Sequence, residues 1–455
     1  MFNLFNLLSS DNPKTKEPLP DLAKQLLSRQ TFEPNKPSSI VQDFDAFIEF
    51  LQLYKVEVSA NQNAIAPKYL TELNDRLSHP IEIDFQRPSQ RSYCYIHGLY
   101  LLLRSSAIGK IQLDKKKAFL QIDPQILSLW QELNDTEKYF NLLATWIFYS
   151  DETIMTNERR TFSDWWYTYN NWKRLPKDGL DFGNGFKNDD WLNRLKLHNI
   201  ALLDLFGFIT LQDAKPLTGK GWRIVNVKPL PFGNAMMDLL HSTNWERGMY
   251  AELDEELEEE RSPKLDVVVQ ESTPTEILQE EFQALDLFPA WEKNLQLPEP
   301  ESQDGIFVFK VSLKSVWRKI AIPSNLTLYD LSSAILKAFN FANDHLHQFN
   351  YKDRQGFKKN IDHPYSQEPP STNEVLIRDW QISKGDRITY VFDFGDWWEF
   401  MVVLESIEFF KREAKRHDSS YQEMICQLVD AYSLPSVRIG REQKEKNGST
   451  RKTEK

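Results

Sequence analysis

The chain of 455 residues has two cysteines and no long apolar run. Cys94 and Cys426 lie far apart in the sequence, so they form neither a disulfide framework nor a thiolate metal site, which favours a reducing compartment. The first residues lack the basic start of a secretory signal, and no segment approaches the ~20 apolar residues that a bilayer span requires. We therefore expect a cytoplasmic protein without membrane contact.

The length of the chain and its charge distribution indicate a protein of several domains. One hydrophobic core seldom organises a chain this long, and domains of ~100–200 residues predict two to four of them. The net charge is −11, but residues 252–304 hold 17 acidic and 3 basic residues, so the rest of the chain carries +3. Because the acidity is confined to one segment, the overall charge does not exclude a nucleic-acid partner.

The pattern of apolar and turn residues predicts an α+β, multidomain protein. Residues 1–38 are expected to form a mobile arm. In residues 39–123 the pattern predicts elements in the order helix, strand, helix, helix, strand, strand, and this order matches a winged helix. The pattern predicts a mostly helical middle region at residues 124–250, and an acidic linker at residues 251–304 that is interrupted by a helix at 275–286. An α+β domain at 305–410 precedes a helix and a basic, disordered tail at 411–455.

The predicted winged-helix-like domain is locally basic. Seven cations and one acid lie between residues 87 and 117. In a winged helix the third helix and the wing meet a duplex, so we predict contact with DNA or with a DNA-bound protein. A solvated face used for protein contact is the alternative. The predicted nucleic-acid-binding residues are Arg87, Arg91, Arg104, Lys110, Lys115, Lys116 and Lys117.

In the C-terminal domain the pattern predicts the order strand, strand, helix, strand, which is β-grasp-like. A predicted hairpin follows these elements. Two apolar, β-rich runs, 388–394 and 397–404, flank Gly395 and Asp396, which predicts a two-residue turn. In that register Phe400 shares a face with Asp393. We favour burial of the ribbon over an exposed aromatic face that serves as a contact platform. Asp393 should accept hydrogen bonds from the turn or pair with a cation, because an uncompensated charge among apolar neighbours is costly. A catalytic or ligand-binding Asp393 is the alternative.

One possible metal site lies near this hairpin. If Asp344 begins a strand entry, His345 and His347 point to one face and can bind a metal with Asp393 or Asp396. A metal-dependent hydrolase is therefore one alternative, and a protein-interaction scaffold is another. Because no third ligand follows from the sequence, we expect no bound metal and no cofactor, and favour a non-catalytic role.

The same segment resembles a known family, the plasmid pRiA4b ORF-3-like domain. Residues that carry the resemblance are Asp344, His345, His347, Tyr390, Asp393, Gly395, Asp396 and Trp398. The resemblance implies a mobile-element context, and we interpret the domain as a recognition module. Family members commonly carry a histidine where this chain has Phe400, so chemistry that depends on that histidine is not expected here. The favoured interpretation is an accessory protein associated with nucleic acid or a mobile element.

Overall fold

The protein is α+β and divides into two compact units. One comprises residues 1–298 with 354–358, and the other residues 299–353 with 359–455. The computed structural model describes residues 16–59, 62–114, 117–156, 164–182, 191–192, 194–249, 272–298, 304–354, 356–366 and 370–409. Within these ranges, no helix is both long and apolar enough to cross a membrane.

The first helix among the described residues lies where we expected a mobile arm. Helix α1 is Asp21–Ser28. Its Leu27 is buried, and just beyond it the ring of Phe32 lies 5.2 Å from that of Phe140. Leu27 belongs to the core of the first unit, and Phe32 packs against that core.

The next elements occur in the predicted order. They are α2 (Ile40–Leu53), β1 (Val56–Val58), α3 (Leu70–Asn74), α4 (Cys94–Ser105), β2 (Gly109–Asp114) and β3 (Lys117–Ile122). The three strands form an antiparallel sheet in the order β1-β3-β2. β1 pairs with β3, so the chain segment that connects these two neighbouring strands contains helices α3 and α4 and strand β2.

The middle region is mostly helical, with a second three-stranded sheet in the order β4-β6-β5. Its α-helices within the described residues include α5 (Pro124–Gln131), α6 (Asp135–Ala144), α7 (Trp165–Trp172), α8 (Leu197–Leu205) and α9 (Pro231–Ser242). Its strands are β4 (Leu180–Asp181), β5 (Ile209–Asp213) and β6 (Ile224–Pro229). Buried side chains from this region and from residues 39–123 form one continuous core, so the two are not separate domains.

Part of the predicted acidic linker also belongs to this core. Helix α10, Pro274–Gln283, begins at a capping box made by Thr273 and Glu276. Beyond it, Trp291 is fully buried and stacks on Phe140 with 4.5 Å between ring centroids. Acidic composition predicted a linker, but these large apolar side chains hold residues 272–298 in the first unit.

The second unit is a six-stranded sheet in the order β10-β9-β11-β12-β7-β8, with one face covered by helix α11. The elements are β7 (Gly305–Leu313), β8 (Val316–Pro323), α11 (Leu328–Phe339), β9 (His347–Lys352), β10 (Lys358–Asp362), β11 (Arg387–Phe392) and β12 (Trp398–Phe409). β7 pairs antiparallel with β12. A β-grasp sheet pairs its first and last strands in parallel, so the β-grasp-like topology is not confirmed.

The hairpin between β11 and β12 forms, but one residue away from the predicted register. Phe392 pairs with Trp398, which leaves a five-residue connection in place of the two-residue turn. Both Asp393 and Trp397 adopt positive φ, and the Trp397 amide donates to the Asp393 carbonyl at 2.6 Å. Because strand side chains alternate, this shift moves Phe400 to the buried face, opposite Tyr390.

Candidate functional site

One residue of the predicted basic face, Arg104, does not lie on the surface. The Arg104 side chain is buried, with 4% of the residue exposed, and its Nη1 donates to the Tyr100 hydroxyl at 3.2 Å. Helix α4 as a whole is buried over all 12 of its residues. The element that would read base edges in a winged helix is therefore part of the core.

The other described cations of this face are exposed and mostly paired with acids. Arg91 Nε lies 3.0 Å from Glu152 Oε1, Lys110 Nζ 2.8 Å from Asp123 Oδ2, and Lys117 Nζ 3.1 Å from Glu57 Oε2. Arg87 is exposed, and Lys115 and Lys116 lie outside the described residues. Exposed ion pairs contribute only ~0–1 kcal/mol, so they leave these cations available to a phosphate.

A cluster that sequence analysis did not find lies inside the first unit. His97 on α4, Glu152 after α6 and His198 on α8 place their ligand atoms within 4.8 Å of one another. Among the residues that the structure describes, no other such group of three or more was found. The sequence gives no signal for it, because the three residues are far apart along the chain and only the packing of α4 on α8 brings them together.

The hydrogen bonds of Gln90 decide what this cluster can do. Gln90 Oε1 accepts from the Ile65 amide at 2.7 Å, which directs its Nε2 donor to His97 Nδ1 at 3.1 Å. His97 Nδ1 is then the acceptor, and its Nε2 carries the proton, donated to Glu152 Oε1 at 2.9 Å. A metal ion needs the Nε2 lone pair, so this tautomer opposes metal binding.

The charges around the cluster also oppose metal binding. Lys196 Nζ lies 2.9 Å from Glu152 Oε2 and 2.9 Å from Asp164 Oδ2, where an ammonium group repels a metal cation. The hydrogen bond from His97 and the nearby Lys196 hold the pKa of Glu152 well below its usual range. Burial lowers the pKa of His97 to about 4, so the ring is neutral. We interpret the cluster as a network that joins α4 and α8 and that extends, through Lys196, to Asp164 at the N-cap of α7.

Of the two signature histidines, His347 is a core residue. It is fully buried at the start of β9, with Nδ1 3.2 Å from Ser332 Oγ and Nε2 3.0 Å from Thr372 Oγ1. Ser332 Oγ also lies 2.7 Å from the hydroxyl of Tyr390, another signature residue. Burial lowers the pKa of His347 to about 3. Both ring nitrogens are thus occupied inside the protein.

His345, in contrast, is exposed, with its Nε2 3.6 Å from Asp393 Oδ2. It therefore does not share a face with the buried His347, and the set His345, His347, Asp393 and Asp396 does not assemble into a metal site. As expected, Asp393 accepts hydrogen bonds from its own turn, at 2.9 Å from the Gly395 amide and 3.4 Å from the Asp396 amide. The hydrolase alternative has no support from this geometry.

The turn that Asp393 organises exposes two aromatic side chains. Phe394 is 41% and Trp397 57% exposed, with ring centroids 5.9 Å apart. The backbone of Leu346, a residue that is 36% exposed, is joined to the start of this turn, because its carbonyl accepts from the Asp393 amide at 2.9 Å. We call Leu346, Phe394 and Trp397 the hairpin tip. It is the candidate interaction surface of the second unit.

Comparison with protein families found a match in the C-terminal region. Residues 306–423 match the model of the plasmid pRiA4b ORF-3-like protein family, which confirms the predicted resemblance. A solved structure, a protein of unknown function from Methanosarcina mazei Go1, is 26% identical over 28% of this chain and 84% of its own, with a TM-score of 0.22. No curated protein matches the chain.

Proposed function

We propose, from a C-terminal region that matches the plasmid pRiA4b ORF-3-like family, that this chain is a non-catalytic accessory protein of a nucleic-acid-associated complex. The family's mobile-element context favours such a partner. In this proposal residues 39–123 are a winged-helix-like segment of the first unit, and the second unit is a recognition module. The order of helices and strands and the β1-β3-β2 sheet support the winged-helix-like assignment.

The burial of α4 is the observation that carries the proposal. A recognition helix must be free to enter the major groove if it is to read base edges. Every residue of α4 is buried in this chain. Nucleic-acid contact then falls to exposed cations outside α4, such as Arg87 and Arg91 before it and Lys110 and Lys117 on the hairpin of β2 and β3, and such side chains contact phosphates without reading sequence. Recognition of a specific partner falls to protein contacts.

Titration of the full chain with labelled duplex DNA tests this assignment. Two duplexes of unrelated sequence should bind with equal affinity at low salt. Changing Lys115, Lys116 and Lys117 together to Ala should flatten the log–log dependence of affinity on salt, by up to ~2–3 units if all three contact phosphate.

A matched triple variant controls for the lost charge. Lys24, Lys337 and Lys384 are exposed lysines outside this hairpin, so changing them to Ala should leave the salt dependence unchanged. Discrimination between the two duplexes by tenfold or more would show that base edges are read and would overturn the role given to α4. If the wild-type chain binds neither duplex, the proposed contact with nucleic acid is wrong, and only the proposed contact with a partner protein remains.

A further inference from the structure

The hairpin tip is held in a conformation that bulky residues seldom adopt. Trp397 has φ +53° and Asp393 has φ +56°, both in the left-handed region. The carboxylate of Asp393 stabilises this turn by accepting from the amides of Gly395 and Asp396. Strained residues of this kind persist where the surrounding structure fixes them, and they cluster at functional sites. Here the strained backbone places an indole ring at the surface.

The composition of the tip is that of a binding hot spot. Tryptophan and phenylalanine are enriched in protein interfaces, where large rigid side chains supply most of the contact energy. Phe394 and Trp397 lie against each other and both are substantially exposed. In contrast, Phe392 and Phe400 of the same hairpin are buried on the face of the sheet that α11 covers. The exposed pair is therefore not needed for the core.

Several exposed acidic side chains lie close to the hairpin tip in sequence. Asp344, Asp396 and Glu399 are all exposed, and each lies within two residues of a member of the tip in sequence. Asp393 adds a fourth carboxylate, with His345 3.6 Å from it. Exposed carboxylates such as these repel phosphates and attract cationic side chains.

We propose that the hairpin tip is a docking surface for a basic peptide segment of a partner protein, in which arginine or lysine alternates with apolar residues. A guanidinium or ammonium group stacks on the face of Trp397, as cations do on indole rings. The carboxylates of Asp396 and Glu399 pair with further cations, and an apolar side chain packs on Phe394. This inference rests on the proposed role of the second unit as a recognition module, and it names the partner's chemistry.

A peptide-display selection tests the proposal without knowledge of the natural partner. The full-length chain is immobilised and exposed to a random peptide library, in parallel with the double variant Phe394→Ser, Trp397→Ser. Sequences enriched on the wild type should combine arginine or lysine with apolar residues, and they should be lost on the double variant. A control, Tyr365→Ser, removes an aromatic side chain that is 83% exposed elsewhere in this unit and should keep the enrichment.

Affinity measurements on an enriched peptide then separate the contributions. Trp397→Ser should weaken binding by tenfold or more. Asp396→Asn with Glu399→Gln should weaken it several-fold and reduce its salt dependence, and these surface changes test the charge even if the serine variants are unstable. Circular dichroism checks that each variant is folded.

Several results would overturn the docking surface. They are no enrichment on the wild type, equal enrichment on the double variant, enriched peptides that are acidic or uncharged, or an oligonucleotide that binds the tip and is lost on the double variant. The duplex titration described above depends on the first unit alone. A failure at the tip with intact duplex binding therefore rejects this inference and leaves the proposed function standing.

Discussion

Gln90 fixes which ring nitrogen of His97 carries the proton. Its amide is oriented by the hydrogen bond that its oxygen accepts from the Ile65 amide, so its nitrogen donates to His97 Nδ1. The Nε2 proton is then committed to Glu152. This relationship turns a group with the spacing of a metal site into a hydrogen-bond network, and it can be tested by removing the amide.

We predict that Gln90→Leu destabilises the first unit by ~1–3 kcal/mol. The change leaves the Ile65 amide and His97 Nδ1 without their partner inside the core, and a buried unsatisfied polar group costs about that much. Chemical denaturation followed by hydrogen exchange in the first unit measures the loss. Gln52→Leu, at an exposed position of α2, should change stability by less than ~0.5 kcal/mol.

Because Nε2 of His97 carries a proton in this tautomer, we expect that the cluster does not bind a metal ion stoichiometrically. Wild-type chain incubated with zinc and then desalted should carry much less than one ion per molecule. Stoichiometric zinc that disappears in His198→Ala would show that the ring nitrogens are free and that the network interpretation is wrong.

The buried His347 predicts an acid-sensitive second unit. Its pKa falls from about 6.5 in the unfolded chain to about 3 in the folded chain, because burial disfavours the charged ring. The unfolded state therefore binds more protons, and stability is lost as pH falls from about 6.5 towards 3, by up to ~1.4 kcal/mol per pH unit.

Comparison with His347→Gln isolates this effect. The variant is expected to be less stable at pH 7, because it loses hydrogen bonds to Ser332 and Thr372, but its stability should depend less on pH. The difference in unfolding midpoint between the two proteins should thus shrink on acidification. A difference that stays constant from pH 7 to pH 4 would contradict the assignment. His345→Gln, at an exposed position, is the control.

Sequence patterns predicted the local elements better than their association. Helical spacing located α2 and α4, and alternation located β7 and β8, because these periods reflect one buried face of each element. The register of the hairpin at Asp393 was missed by one residue. A Gly-Asp pair favours a short turn, but the Asp393 side chain accepts from two amides of a longer one, and no local pattern shows that competition.

The site was less predictable than the fold. His345 and His347 were expected on one face, but strand β9 begins only at His347, so alternation does not extend to His345. The network of His97, Glu152 and His198 depends on contacts between distant elements. In contrast, the hydrogen bonds to Asp393 followed from the cost of an isolated charge, which holds wherever the turn lies.

The turn itself predicts that Asp393→Ala and Asp393→Asn will differ. Asparagine keeps a side-chain acceptor and tolerates positive φ, whereas alanine offers neither. We expect a loss of ~1–2 kcal/mol in the second unit for alanine and less than ~0.5 kcal/mol for asparagine. Hydrogen exchange of the Gly395 amide should accelerate in the alanine variant alone. Equal effects of the two substitutions would mean that charge, and not hydrogen bonding, holds the turn.

The acidic segment at residues 272–298 is held in the first unit by one large side chain. Trp291 is fully buried, stacks on Phe140, and its carbonyl accepts from the side chains of Gln279 and Gln283. Removing so large a side chain leaves a cavity, so Trp291→Ala should destabilise the first unit by ~3–5 kcal/mol. Because α10 is held by the same contacts, residues 272–298 should become sensitive to protease under native conditions.

A second tryptophan supplies the control for this experiment. Trp397→Ala removes an indole ring that is exposed in the second unit, so it should leave both the unfolding midpoint and the protease pattern of the first unit unchanged. Cleavage of the wild-type chain within residues 272–298 at the rate seen for Trp291→Ala would show that this segment is a linker after all, as its acidic composition first suggested.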